Sequence, residues 1–378
     1  MKIALVHDHL MQSGGAERVL SVFARLFPQA PIYTLLADPE KQPKGIDPSR
    51  IRTSFLQHLP LSKNSYQWFL PLMPAAIEQL DLSEFDVVLS SSSAFSKGVI
   101  TKSSTMHISY CHTPARYLWS DSHYYIKELP HAALVKRAVP FFLTSLRQWD
   151  RMAADRVDYF VANSKTVQER IQKYYRRTSD IMYPPVDIAD FSSTEGTKDY
   201  FLAGGRLVAY KRFDILVDAF NRLGMPLKIF GDGPEFRKIK AKAKKNIEML
   251  GSVSERERVH LFEECIAFIH PQEEDFGITV LEASAAGRPV IALAAGGALE
   301  TVVDGVTGVF FYDQDYAALI DAVVRFKPEN FNPNTIRSHS LRFSTDRFSK
   351  EIMSYVTQKW STWQEWQDMK RLREAKLF

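Results

Sequence analysis

The stretch "EEDFGITVLE", residues 273–282, decides the fold. It follows "CIAFIHP", where the apolar run Cys265 to Ile269 predicts a buried strand stopped by Pro271. It leads through "ITVLEASAAG", a short helix ended by Gly287, into "PVIAL", a second buried strand. The stretch is thus the turn from strand to helix inside a βαβ unit, and open α/β sheets bind ligands at such turns. Phe276, Gly277 and Ile278 open the helix, and their N–H groups lack intrahelical partners, which suits a phosphate. Glu274 and Glu282, with seven residues between them, would repel a phosphate; carboxylates suit vicinal hydroxyls instead. The spacing lets Glu274 reach a hexose at one end of a diphosphate and Glu282 a ribose at the other. Standing alone, the pair reads equally as a helix-capping acid and a surface acid.

The same alternation extends outward. Upstream, "YFLAGGRL", "FDILVDAFNRL", "LKIFGDGPE" and "IEMLGSV" repeat strand and helix, and "GVFF" at 308–311 closes the series. A first β/α series precedes it, with strands at "KIALV", "FDVVLSS", "MHISYCH" and "VDYFVANS". After "KIALV", the helical stripe Val19, Leu20, Val22, Phe23, Leu26 and Phe27 ends at Pro28. Between the two series, "YPPVDIADF" (183–191) and the polar "SSTEGTKD" predict a linker. The chain therefore divides into 1–187 and 188–349, the first completed by a long C-terminal helix over 350–378. On that helix Trp360, Trp363, Trp366 and Met369 share a face, which suits either packing on the body or an interfacial belt.

Composition narrows the class. The chain has 378 residues, 45% hydrophobic and 12% aromatic, enough for two cores. A net charge of +4 is too weak to argue for nucleic acid, and the basic run 237–245 has no interleaved aromatics, so it reads as a solvated helix face. Cys111 and Cys265 form no metal or disulfide pattern, as expected of a cytoplasmic protein. The N-terminus lacks the apolar run of a signal peptide, and no segment is apolar enough to span a membrane. "ALVKRAVPFFLTSLRQWDR", 133–151, mixes bases and aromatics; it reads as simple packing or as a membrane-facing helix pair.

Three further motifs carry chemistry. "SGGAE" sets Gly14 and Gly15 at a strand-to-helix turn where a ligand can approach the backbone. "AGGRLVAYKR" sets Arg206 and Lys211 after the second series' first strand, two cations able to neutralise a diphosphate. "FGDGPE", 230–235, is a ligand-facing loop or a plain turn. "DQD", 313–315, matches a metal-binding pattern, yet it precedes "YAALIDAVV" and reads as a helix cap.

In this order "GGRLVAYKR", "IFGDGPE", "EEDFGITVLEASAAGRPVIA" and "GGALETVVDGVTG" resemble the retaining glycosyltransferases of family 4, which have the GT-B fold: two Rossmann-like parallel-sheet domains facing across a cleft. "ISYCHTPARYLW" looks like the subgroup of O-antigen-type mannosyltransferases of polysaccharide biosynthesis. The resemblance implies an acceptor-binding N-terminal half and a donor-binding C-terminal half. It implies that Arg206 and Lys211 bind the diphosphate, that Glu274 with the backbone of Phe276, Gly277 and Ile278 holds sugar and phosphate, and that Glu282 binds the ribose. Val253, in the "GSV" turn, would line the base, Gly15 would approach the phosphate, and His112 would stand beside the transferred sugar. No metal or cofactor is implied. The implied reaction moves mannose from GDP-mannose to a glycan or polyprenyl-linked glycan, with peripheral contact at the inner face of the plasma membrane. A UDP-sugar donor, or an isomerase or phosphorylase on the same fold, are the alternatives.

Overall fold

The computed structural model describes residues 1–12, 14–43, 45–60, 66–123, 126, 133–192 and 196–375; side chains at 66–67, 133–138 and 374–375 fall outside that description. The chain forms two compact units, Met1–Pro184 with Phe348–Phe378, and Pro185–Arg347. The first contains a seven-stranded sheet in the order β3-β2-β1-β4-β5-β6-β7. Its strands are β1 Ile3–His7, β2 Ile32–Thr34, β3 Ile51–Thr53, β4 Val87–Ser92, β5 Met106–Cys111, β6 Tyr159–Ala162 and β7 Ser179–Ile181. The second contains a six-stranded sheet in the order β10-β9-β8-β11-β12-β13. These strands are β8 Phe201–Gly204, β9 Leu227–Phe230, β10 Ile247–Gly251, β11 Phe268–His270, β12 Val290–Leu293 and β13 Gly308–Phe311.

Every pairing is parallel. The central strands β1, β4, β5 and β12 are buried along their whole length, as near-continuous apolar runs covered on both faces must be. Strand order reverses between β1 and β4 in the first sheet and between β8 and β11 in the second. At such a point the flanking loops diverge to opposite faces and leave a crevice beyond the strand C-termini.

Three expectations need correction. "YPPVDIADF" is not a loose linker: from Pro185 it belongs to the second unit, where Val186, Ile188 and Phe191 are buried and Phe191 meets the Phe262 ring edge-on at 6.0 Å. Residues 193–195 of the following polar stretch lie outside the described residues. The segment 133–151 is not a helix pair but part of one 23-residue helix, Ala133–Asp155, that runs through Pro140. Leu143 and Leu146 face the core while Phe141 is 81% exposed; the side chains of Lys136 and Arg137 lie outside the description. Finally, the strand expected from Cys265 starts at Phe268, because Cys265 caps the preceding helix, Glu255–Glu264, and its Sγ donates to the Phe262 carbonyl.

The helix Thr345–Ala375 joins the first unit from Phe348 onward. Phe348 stacks on Phe23 at 6.0 Å and meets Tyr110 edge-on at 5.6 Å, so it completes that core. The tryptophan face divides. Trp360 and Trp363 pack on the body, Trp363 Nε1 donating to the Ser104 carbonyl at 3.1 Å, whereas Trp366 and Met369 are exposed.

Candidate active site

In the second unit, three loops gather at the β8/β11 reversal. The first leaves β8 through Gly204 and Gly205. A side chain at Gly231, which follows β9, would place its Cβ 1.9 Å from the Gly205 carbonyl oxygen, so these two loops touch through backbone alone. The third loop leaves β11 at His270 and reaches Gly277, whose φ of 87° requires glycine before the helix Ile278–Ala285 begins. No side chain caps that helix, so its first N–H groups have no side-chain acceptor.

The first and third loops are joined by charge. Lys211 Nζ lies 2.5 Å from Glu274 Oε1, and both side chains are largely buried. Gln272 Nε2 donates to the same oxygen at 3.3 Å. Burial pushes the Glu274 carboxyl up, but the Lys211 ammonium, aided by His270 and Gln272, prevails and holds it at about 2. For Lys211, burial pulls down and Glu274 overrides it, so its pKa is raised. The pair is therefore charged at neutral pH. Arg206 is exposed and adds a like charge near Lys211. The structure thus brings Arg206, Lys211, Glu274 and the Phe276–Ile278 backbone to one place.

Glu282 sits differently. It is 1% exposed and forms an ion pair with Arg258, on the helix Glu255–Glu264, which the sequence analysis did not single out. A ribose hydroxyl reaching Glu282 would share its carboxylate with this guanidinium. Truncating Arg258 leaves a buried charge without the cation opposite it. Arg258→Ala should cost about 3–5 kcal/mol in urea unfolding of this unit; a loss below about 1 kcal/mol would make the pair dispensable. Past the ends of β9 and β10, Asp232, Gly233, Pro234, Phe236, Arg237 and Gly251 line a pocket of about 530 Å³. Gly251 is two residues before Val253. The "DQD" segment caps, as expected: Asp315 Oδ1 accepts from the Ala317 and Ala318 N–H groups at 2.8 Å.

His270 was also missed. It is fully buried at the end of β11, and neither ring nitrogen has a hydrogen-bond partner among the described residues. Burial holds its pKa at about 4, so it is neutral beside Gly277 and Glu274.

In the first unit, the β1/β4 reversal carries a polar cluster that the apolar reading of "KIALV" and "FDVVLSS" passed over. Asp8 accepts four backbone N–H bonds, from Ser93, Ala94, Phe95 and Ser96, at 2.6–2.9 Å. It thereby fixes the loop leaving β4. His112, at the end of β5, is 9% exposed. Its Nε2 lies 2.8 Å from Ser91 Oγ, which lies 3.1 Å from His7 Nδ1. His7 Nε2 faces Glu17 Oε1 at 3.6 Å. Glu17 belongs to the helix Gly15–Leu26, whose N-cap is Gly14. Its other oxygen stands 3.1 Å from where a Gly14 Cβ would be, so a negative oxygen lies beneath the glycine turn. Ser13 lies outside the described residues.

Among the described residues no helix is long and apolar enough to cross a membrane, and no group of three or more His, Cys, Asp or Glu side chains is placed to hold a metal ion.

Known proteins resemble the chain along both units. Residues 13–190 match the model described as Glycosyltransferase Family 4, and residues 187–336 that of Glycosyl transferases group 1. O-antigen chain mannosyltransferase C of Escherichia coli is 26% identical over 211 residues, 51% of this chain and 56% of that protein. Alpha-1,3/1,6-mannosyltransferase ALG2 of Dictyostelium discoideum is 25% identical over 247 residues, 53% of this chain and 56% of that protein. The chain spans about half the length of the curated relatives it matches. Anabaena Alr3699/HepE, solved in complex with UDP-glucose, superposes with a TM-score of 0.70 at 17% identity, covering 95% of this chain and 100% of that one. Two doubly wound parallel sheets, family models along both and a GT-B-type neighbour over nearly the whole length lead to one assignment: the chain belongs to the family 4 glycosyltransferases of the GT-B fold.

Proposed function

We propose that the protein transfers a hexose with retention from a nucleotide sugar, mannose from GDP-mannose, to a glycan carried on a polyprenyl lipid. The observation that carries this reading is the buried Lys211–Glu274 pair beside the uncapped helix start at Gly277. Lys211, Arg206 and the N–H groups of Phe276, Gly277 and Ile278 neutralise the diphosphate as the glycosidic bond breaks. Glu274, held ionised and oriented by Lys211, accepts hydroxyl hydrogens of the hexose, while Glu282, with Arg258, meets the ribose. The pocket at Asp232 and Gly251 takes the base, near the Val253 backbone. Within the first unit, Gly14 and Gly15 leave the backbone open to a ligand at the strand ends, and His112 offers a group for a sugar hydroxyl.

A glycosidase of retaining type needs a carboxylate nucleophile about 5 Å from a second carboxyl group. Here Glu274 is committed to Lys211 and Glu282 to Arg258. The departing phosphate therefore takes the acceptor's proton as the acceptor attacks the same face, and the protein contributes positioning and charge. Transfer needs no metal on this account and should survive EDTA; loss restored by Mn²⁺ or Mg²⁺ would overturn that point. A lipid-borne acceptor would meet the exposed Phe141 of the first unit.

The mannose donor is supported by the two mannosyltransferase relatives, and a UDP-sugar donor by the HepE complexes. A thermal-shift panel of GDP, UDP, GDP-mannose and UDP-glucose separates them, because a ligand that binds only the native state raises its melting temperature. Shifts with GDP and GDP-mannose alone are expected. Shifts with the uridine compounds alone would replace the donor, and no shift with any would remove the donor-site reading.

A further inference from the structure

We propose that Asp232 and Arg237 read the donor's base as guanine: the Asp232 carboxylate accepts from guanine N1–H and the 2-amino group, and the Arg237 guanidinium donates to O6 and N7. This deepens the transferase reading and rests on it for the presence of a nucleotide in the pocket at Asp232 and Gly251.

Asp232 stands on a fixed loop. The Leu207 N–H donates to the Asp232 carbonyl at 2.9 Å, and the Glu235 N–H donates to the Leu207 carbonyl at 3.1 Å. A Cβ at Gly233 would stand 2.4 Å from that same Leu207 carbonyl oxygen, so the two loops meet through backbone. On the other side, the Gly231 N–H donates to the Gly251 carbonyl at 2.6 Å and ties the loop to the end of β10. Leu207 follows Arg206, so the pocket loop is bonded to the neighbour of a cation proposed for the diphosphate. The Asp232 side chain is oriented as well. Its Oδ1 accepts from the Gly233 N–H at 2.7 Å, which leaves Oδ2 and the second lone pair of Oδ1 for a ligand.

Arg237 lines the same pocket and makes no ion pair or hydrogen bond among the described residues. Glu235 does not compete for it, because Lys238 lies 2.9 Å from the Glu235 carboxylate. No ion pair joins Asp232 to Arg237 either. One wall therefore offers acceptors and another offers donors, and the two charges do not neutralise each other. Between them in sequence, Pro234 and Phe236 also line the pocket and give a planar ring an apolar surface. A volume of about 530 Å³ is ample for a base.

Guanine answers both walls. Its N1–H and 2-amino N–H point the same way and match a carboxylate in two parallel bonds, while O6 and N7 form the edge that a guanidinium binds in bidentate fashion. Uracil has a single N3–H, flanked by two carbonyl oxygens that a carboxylate repels. Adenine has a bare N1 where guanine has N1–H, and an amino group where guanine has O6, so it meets acceptor with acceptor and donor with donor. A site built to pair with a donor rejects the analogue that lacks it more strongly than an apolar pocket does.

The test is calorimetric titration of the full chain with GDP, UDP, inosine diphosphate (GDP without its 2-amino group) and 7-deaza-GDP (carbon in place of N7). Wild type is expected to favour GDP over each of the others, by about 5–150-fold where a bidentate contact is lost. In Asp232→Asn the amide cannot accept from both N–H groups, so GDP affinity falls and the preference over inosine diphosphate disappears. Arg237→Ala is expected to keep that preference and to lose the one over 7-deaza-GDP. Comparing two ligands across two proteins isolates each contact from any general effect of the substitution. Both side chains are exposed, so neither change removes a core contact, and the wild-type ratios decide without any variant. Equal wild-type affinities for GDP and inosine diphosphate, or a ratio unchanged in Asp232→Asn, would overturn the assignment while GDP binding left the donor reading standing. Binding of UDP alone, or of none of the four, would overturn it together with the guanine donor.

Discussion

Lys211→Ala should lower sugar transfer by about 10²–10³-fold, the scale expected for removal of one preorganised group that stabilises developing charge. Lys211 has two tasks in this geometry. In the proposed function it is a cation at the diphosphate, and in the structure it is the group that keeps Glu274 ionised against burial. Without it, desolvation acts on Glu274 with only His270 and Gln272 opposing, so the carboxyl rises from about 2. A protonated Glu274 loses acceptor strength toward sugar hydroxyls just as the phosphate loses its counter-charge. Breaking a buried pair is also costly to the fold, by about 3–5 kcal/mol. Lys211→Arg should recover only part of the loss, because a planar guanidinium does not reproduce a compact ammonium at this distance. Calorimetric titration with GDP-mannose, alongside urea unfolding, separates the two losses. Wild-type affinity in a folded Lys211→Ala would remove Lys211 from the donor site.

Stability should fall steeply in mild acid. His107 is held at about 3, His112 at about 4 and His270 at about 4, each chiefly by burial, against an ordinary value of 6.5. Between those values the unfolded chain binds these protons and the native chain does not. The native state is therefore favoured fully above pH 6.5 and loses stability as pH falls toward 4. Each histidine contributes about 1.4 kcal/mol per pH unit across that window. Asp8, Glu17 and Glu274 act in the same sense at lower pH. Their native pKa values are depressed, so their stabilisation is present above the ordinary carboxylate range and is lost as pH falls through the native values. The first unit carries two of the three histidines, so its urea midpoint should fall faster than the second unit's. His107→Gln, which keeps a polar partner for Ser90, should flatten the slope of the first unit by about 1.4 kcal/mol per pH unit. A midpoint constant from neutral pH to ~4.5 would contradict the assignment of neutral buried rings.

Much of this architecture was legible in sequence because buried parallel strands read as apolar runs and their helices as 3.6-residue stripes. β1, β4, β5, β8, β9 and β12 all fall within such runs. The strands that escaped are β2, β3 and β7, three residues each, too short to show a period. The start of β11 was misplaced because Cys265, apolar by composition, serves as a helix cap.

The loops of the proposed donor site were legible for a different reason. Arg206, Lys211 and Glu274 lie in short polar turns between apolar runs, where a charge stands out. Their pairing was not legible, since nothing local says that Lys211 and Glu274 meet. Arg258 and Glu17 lie on helices, where a charged side chain reads as a solvated face; burial of each depends on a partner far along the chain. His7, Asp8 and Ser91 lie at the ends of strands read only for their apolar content. The cluster "HDH" at 7–9, three ionisable residues closing a buried strand, was the available signal.

The most direct test of the donor-site assignment is a crystal structure of the full chain with GDP-mannose bound. The account predicts diphosphate oxygens at the Phe276–Ile278 N–H groups and Lys211, with a hexose hydroxyl on Glu274. A nucleotide sugar bound with its diphosphate away from Lys211 and the start of the helix Ile278–Ala285 would contradict it.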